Sequence, residues 1–140
     1  MKKILIYSIL LVCAISVLSI NQAWAISITK DTSGSLGQDV SSGSITVGSN
    51  NNRLLVVEVA TERTGATPSG TVSSITYNGV NLSHLSGADG TQSNTFGQHT
   101  EIWYLIAPTT GTHNIVITMT STNAYSYMLG AYSLYNVKQS

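Results

Sequence analysis

Glu101-Ile-Trp-Tyr-Leu-Ile-Ala-Pro108 is the stretch that decides the fold class. Glu101, Trp103 and Leu105 alternate with Ile102, Tyr104 and Ile106, so the run reads as a strand with two faces. Its end is punctuated, because Ala107-Pro108 followed by Thr109-Thr110-Gly111 cannot continue a ladder. After that short turn, Thr112 to Thr120 carries an apolar stripe of Ile115, Ile117 and Met119 and is expected to pair antiparallel with the first strand.

Working upstream, Val72 to Tyr77 and Val80 to Leu85 flank Asn78-Gly79, two residues that accept positive φ, as a type I′ hairpin turn requires. Arg53 to Ala60 is the strongest aliphatic run. It is apolar on both faces except at Glu58, which predicts a central strand covered on both sides. Ile26 to Lys30 and Ser44 to Val47 read as short strands. Asp31 to Ser44, Glu62 to Gly70 and Ser86 to Gln98 read as Ser/Gly/Thr/Asn-rich loops. Tyr125 to Val137 is the last strand, with a break expected at Gly130. Short strands, such turns and no helical periodicity after residue 25 predict an all-β, antiparallel β-sandwich of jelly-roll or immunoglobulin-like type; a closed barrel is the alternative.

The N-terminus is of a different kind. Lys2 and Lys3 precede an almost unbroken apolar run from Ile4 to Ile20, and Ala23-Trp24-Ala25 supplies a small-x-small site. That order reads as a secretory signal peptide over residues 1–25, helical in its apolar part. The competing reading is a membrane anchor, since the run is near the lower limit for spanning. Cleavage after Ala25 leaves residues 26–140, one domain. The single cysteine, Cys13, falls in the discarded part, so the exported domain relies on packing and sheet hydrogen bonds. Lys30, Arg53, Arg63 and Lys138 are too few and scattered to neutralise a row of phosphates, which argues against nucleic acid as a partner. No basic amphipathic helix holds the processed protein on a membrane. The expected location is outside the cell, at its surface or in the periplasm.

Asn52-Arg-Leu-Leu-Val-Val-Glu-Val59, Val72-Ser-Ser-Ile-Thr-Tyr-Asn-Gly-Val80, Glu101 to Pro108, Gly111-Thr-His-Asn-Ile-Val-Ile-Thr118 and Gly130-Ala-Tyr-Ser-Leu-Tyr-Asn-Val137 occur in this order. Together they resemble a jelly-roll-like β-sandwich module of secreted bacterial proteins, over roughly residues 44 to 137. The resemblance implies an exported or surface-associated module with a role in adhesion or glycan binding, and it carries no catalytic residues. Modules of this type continue beyond the segment matching Val137, whereas this sequence stops at Ser140. A shorter variant, a truncated frame, or a strand supplied by a partner at an open edge would each account for that.

The aromatic residues are the leading candidates for a binding surface. Tyr125 and Tyr127 share a strand face and, with Trp103 and Tyr104, form the expected ligand-binding set; Tyr132 and Tyr135 lie nearby. Flat rings stack on sugars, and the bland alternative is that they pack between the sheets. His99 and Glu101 share a face and could join His84 or Asp89 in a metal site. An exposed polar strand start explains them as well, and we expect neither metal nor cofactor. Glu58 interrupts an apolar strand and reads as solvent-facing. No Gly-x-Ser-x-Gly elbow and no obvious carboxylate pair is present, so the expectation is a non-catalytic protein. Its expected partner is a polysaccharide or, through an open sheet edge, another protein or a second copy of itself. The alternative role is a structural subunit that assembles edge to edge.

Overall fold

The computed structural model describes residues 27–64, 71–93, 96–120 and 126–139. The signal-peptide reading over residues 1–25 and the side chain of Tyr125 lie outside them. The described chain is all-β: β1 (Thr29–Gln38), β2 (Ser42–Val47), β3 (Leu54–Thr64), β4 (Val72–Tyr77), β5 (Val80–Asn81), β6 (Ser83–His84), β7 (Gly90–Ser93), β8 (Phe96–Ile106), β9 (Gly111–Met119) and β10 (Ser126–Tyr135). They form two antiparallel sheets. One has the order β1-β10-β3-β8-β6 with β7 also on β8; the other has the order β2-β9-β4-β5.

One core lies between the sheets. Alternation sends Leu55, Val57 and Val59 of β3, Leu129 and Ala131 of β10, and Trp103 of β8 inward from the larger sheet. Ile45 and Val47 of β2, Ile75 and Tyr77 of β4, and Ile115 and Ile117 of β9 meet them from the smaller one. The Asn78-Gly79 turn forms as its residues require, with φ of 49° and 75°. Its second strand is short, however. β5 ends at Asn81, and after Leu82 the chain crosses to the other sheet, where Ser83 and His84 pair with Tyr104 and Trp103.

Several expectations are corrected. The run Asp31 to Ser44 is mostly strand: β1 follows β10 along its length, with register shifts at Lys30/Thr32 and Ser35/Gly37 that small residues accommodate. The loops expected at Glu62 and up to Gln98 are shorter, because β3 and β8 pair in register from Leu54↔Ile106 to Thr64↔Phe96. β10 runs unbroken through Gly130 and is hydrogen-bonded on both sides, by β1 and β3, so it is not an open edge. β9 does not pair with β8; it lies in the opposite sheet. Ala107 at φ 50° turns the chain, Pro108 is buried, and Tyr77 Oη donates to the carbonyls of Thr109 (3.2 Å) and Gly111 (3.0 Å), which anchors the crossover to β4. Burial also raises the Tyr77 phenol above its usual range.

At the β1 side the sheets are joined by side chains. Thr32 Oγ1 donates to the carbonyl of Thr46, and Asp31 Oδ2 accepts from Gly48 N at 2.6 Å and Ser133 Oγ at 3.3 Å.

β3 is central, as its pattern predicts, but only its inner face is covered. Leu55 is fully buried, while its neighbour Leu54 is half-buried on the outer face. Leu55→Ala should therefore cost about 2–5 kcal/mol of stability, and Leu54→Ala about 1 kcal/mol or less. Urea unfolding midpoints at constant slope check this; equal losses at both positions would contradict the assignment of faces.

Candidate functional site

Two groups of side chains stand out, one inside the sandwich and one on its surface. The inner group is centred on Glu101, which is 3% exposed. Its Oε1 accepts from the backbone N–H of Val72 at 2.9 Å and lies 3.1 Å from His99 Nε2; its Oε2 accepts from Trp103 Nε1 at 2.8 Å. With Oε1 as acceptor, His99 carries its proton on Nε2. Val72 belongs to the smaller sheet and Glu101 to the larger, so this carboxylate ties the two together. It meets β4 where the β4–β9 register shifts between Val72 and Ser74, and it satisfies the N–H at that irregularity.

His84 completes the group at the mouth. It stacks on Trp103 with ring centroids 4.8 Å apart, and its Nε2 lies 2.8 Å from Asp89 Oδ1 and 3.8 Å from Glu101 Oε2. The four residues weighed above as metal ligands are thus neighbours, but they are joined in two hydrogen-bonded pairs, His99 with Glu101 and His84 with Asp89, with 3.8 Å between His84 Nε2 and Glu101 Oε2. Among the described residues no group of three or more His, Cys, Asp or Glu is placed to hold a metal ion. Both oxygens of Glu101 are already engaged by N–H donors, so the cluster is a structural link between sheets.

The outer group lies on the exposed face of the larger sheet. Cross-strand register arranges it in rows: Ser33, Tyr132, Val56, Tyr104 and Ser83 in one; Ser35, Gly130, Glu58 and Ile102 in the next; Gln38, Met128, Ala60 and Thr100 in a third. Large apolar side chains interrupt this face, where antiparallel sheets usually turn polar side chains to water, and Ser33, Ser35, Gln38, Ser83 and Thr100 lie towards its margins. Met128 is 58% exposed, Ile106 51%, Leu85 45% and Tyr132 36%. The smaller sheet is the ordinary case, with Ser44, Thr46, Ser74, Thr76, Thr112, Asn114 and Thr118 outward and Val116 as the apolar exception.

Gly130 leaves a gap in the middle row, and over it opens a depression of about 700 Å³ lined by Ser33, Ser35, Glu58, Thr100, Ile102, Met128 and Tyr132 among others. A second hollow of about 280 Å³ adjoins it between Tyr104, Ile106, Leu85 and the C-terminal Val137 to Gln139. Both fall on the surface that the aliphatic pattern of β3 left without a cover.

The aromatic set expected from sequence divides between the faces. Trp103 is in the core, 8% exposed. Tyr127 is half-buried against that core; its N–H donates to Asp39 Oδ1 at 2.9 Å, and burial, then the Asp39 charge, raise its phenol. Tyr104 is on the outer face, where it joins Tyr132. Trp103, Tyr127 and Tyr104 therefore make no common platform. Strand alternation already separates Trp103 from Tyr104. What sequence reading missed is that Tyr104 shares a row with Tyr132, one on each side of Val56, since that depends on β3 lying between β8 and β10. No protein-family model, curated protein or solved structure matches the chain, so the site is read from its own geometry.

The two glutamates should respond differently to substitution. Glu101→Gln places a donor where N–H groups converge and should cost about 2–4 kcal/mol. Glu58→Gln on the open face should change stability by less than about 0.5 kcal/mol. Thermal and urea unfolding separate the two; a neutral Glu101→Gln would remove Glu101 as the inter-sheet link.

Proposed function

We propose that the protein is an exported, non-catalytic jelly-roll-like β-sandwich module that binds glycan on the outer face of its six-stranded sheet. The observation that carries this reading is the depression over Gly130 and the aromatic row beside it. Tyr132 and Tyr104 flank Val56 in register, two strand spacings or about 10 Å apart. Rings at that separation suit successive apolar faces of an extended ligand. Glu58, Thr100, Ser33 and Ser35 supply acceptors and hydroxyls around the same opening. A largely apolar hollow of several hundred Å³ with a few polar groups at its edge is the usual form of a small-ligand site.

Binding is favoured over hydrolysis by the placement of the acids. Cleaving a glycosidic bond takes two carboxyl groups roughly 5–9.5 Å apart. On this face Glu58 and Glu62 share one strand four residues apart, which separates their backbones by roughly 13 Å. Glu62 also accepts from Gln98 Nε2 at 3.1 Å. Glu101 has its carboxylate on the inner side. The N-terminal sequence pattern supports export, and the resemblance described above supports a surface or extracellular role.

Gly130 provides a clean test. A Cβ there would meet Tyr132 Cε2 at 3.7 Å and Glu58 Oε2 at 3.8 Å, ordinary contacts, and its φ lies outside the left-handed region. Gly130→Leu should fill the depression without loss of melting temperature and weaken glycan binding at least about tenfold, roughly the loss of one well-packed contact set. Thr118→Leu on the opposite sheet should leave binding unchanged. Glycan-array screening followed by calorimetry reads the result. Retention of full affinity by Gly130→Leu, or no glycan bound by the native protein, would sink the proposal.

A further inference from the structure

We infer that the depression over Gly130 is built for a ligand carrying a positively charged amine, and that the glycan it takes is an amino-sugar polymer with free amines. This rests on the glycan-binding reading above and narrows it.

The inference starts from the carboxylates. The sequence has six Asp and Glu residues, and five have partners. Asp31 accepts from Gly48 N and Ser133; Asp39 accepts from Tyr127 N; Glu62 accepts from Gln98; Asp89 meets His84; Glu101 takes Val72, His99 and Trp103. Glu58 is the exception. Among the described residues it accepts no hydrogen bond and meets no cation. It stands between Gly130 and Ile102 in an apolar sheet face, at a position where the surrounding pattern would put an aliphatic residue.

Its neighbour completes the site. The position that a Cβ on Gly130 would take lies 3.8 Å from Glu58 Oε2, 3.7 Å from Tyr132 Cε2 and 3.8 Å from Tyr132 Oη. Because Gly130 has no side chain, that position is open. An ammonium group seated just above it lies against a carboxylate, beside an aromatic ring and within reach of a phenol oxygen. Opposite charge and the ring quadrupole both favour a cation there. Among the described residues, no lysine or arginine lines the depression to compete for the carboxylate.

The rest of the face chooses among amines. A single carboxylate offers one charge contact, too little to select a polycationic peptide, which would call for a row of acids. Around it are hydroxyls from Ser33, Ser35 and Thr100, and a second ring at Tyr104 further along. One charge, several hydroxyl partners and spaced apolar surfaces match a chain of amino sugars.

The test compares hexamers of β-1,4-linked glucosamine, N-acetylglucosamine and glucose, with oligolysine as a fourth probe, by calorimetry on the native protein and on Glu58→Gln, Tyr132→Leu and Gly130→Leu. The free-amine hexamer is expected to bind roughly tenfold more tightly than the other two sugars, from one exposed ion pair and one cation–aromatic contact together. Glu58→Gln should erase that preference, bringing the free-amine hexamer to the affinity of the neutral ones, and raised salt should reduce it in the native protein. Tyr132→Leu should weaken all sugars. Equal affinity for charged and neutral hexamers, lost in Gly130→Leu, overturns the amine and leaves the glycan face standing. No sugar bound, or binding indifferent to Gly130→Leu, overturns both. Oligolysine binding as tightly as the free-amine hexamer overturns the amino sugar in favour of a basic polypeptide.

Discussion

The tie between Glu101 on one sheet and the Val72 N–H on the other is the interaction on which the sandwich's alignment depends. Hydrophobic contact between two sheets is non-directional, so it holds them together without fixing their relative position. A buried carboxylate does fix it. Removing such a group from water is costly, and the cost is offset only where donors converge with good geometry. Here Trp103 and His99 bring two donors from the same strand face as Glu101, a consequence of spacing by two residues. The third must come across the core. It comes from β4 at a register shift, where the Val72 N–H donates to the carboxylate. Sliding one sheet along the other would break this arrangement before it uncovered much apolar surface.

With the inner faces so fixed, the outer faces are free to differ. The smaller sheet shows the β-branched polar surface expected of a sheet facing water, with Thr46 opposite Thr112 and Ser74 opposite Thr118. The larger shows Leu54, Val56, Ile102, Ile106 and Met128 instead. Contiguous exposed apolar surface costs solubility and stands out as an interaction site. The edges are less inviting than the face. β1 is mostly Ser, Gly and Thr with Lys30, Asp31 and Gln38, and its one aliphatic residue, Leu36, packs against the core, so the sheet margin there offers little apolar surface to another chain.

Much of this was legible in the sequence, and the failures have identifiable physical causes. Alternation in Glu101 to Ile106, the aliphatic run at β3 and the Asn78-Gly79 turn are local signals, and local structure followed them. Pairing is not local. β8 and β9 read as a hairpin because they are close in sequence, whereas the turn between them carries the chain across the core. β1 read as a loop because Ser and Gly have little strand preference of their own; pairing along β10 overrides that. The apolar pattern of β3 predicted two covered faces, and the mismatch between that pattern and a single covered face is what singles out the outer face as the candidate surface. Tyr104 and Tyr132 could not be matched from sequence, since strand order places them on one row.

Glu58 and Glu101 make the division of labour concrete. They are the same residue type on adjacent, paired strands, and their side chains leave the sheet on opposite sides. Had both been buried, each would need its own set of donors; had both been exposed, the sheets would keep the links at Asp31 and Thr32 but lose the one at Val72. Glu101 has both oxygens engaged by N–H donors and is buried between the sheets. Glu58 has neither engaged and lies beside a gap made by the one glycine in the middle of β10. Among the described residues nothing in the fold uses that carboxylate, and its neighbours are aliphatic and aromatic side chains and the hydroxyls of Ser33, Ser35 and Thr100. Recognition of a ligand is the role proposed for it, and its charge is why that ligand is proposed to be a cation.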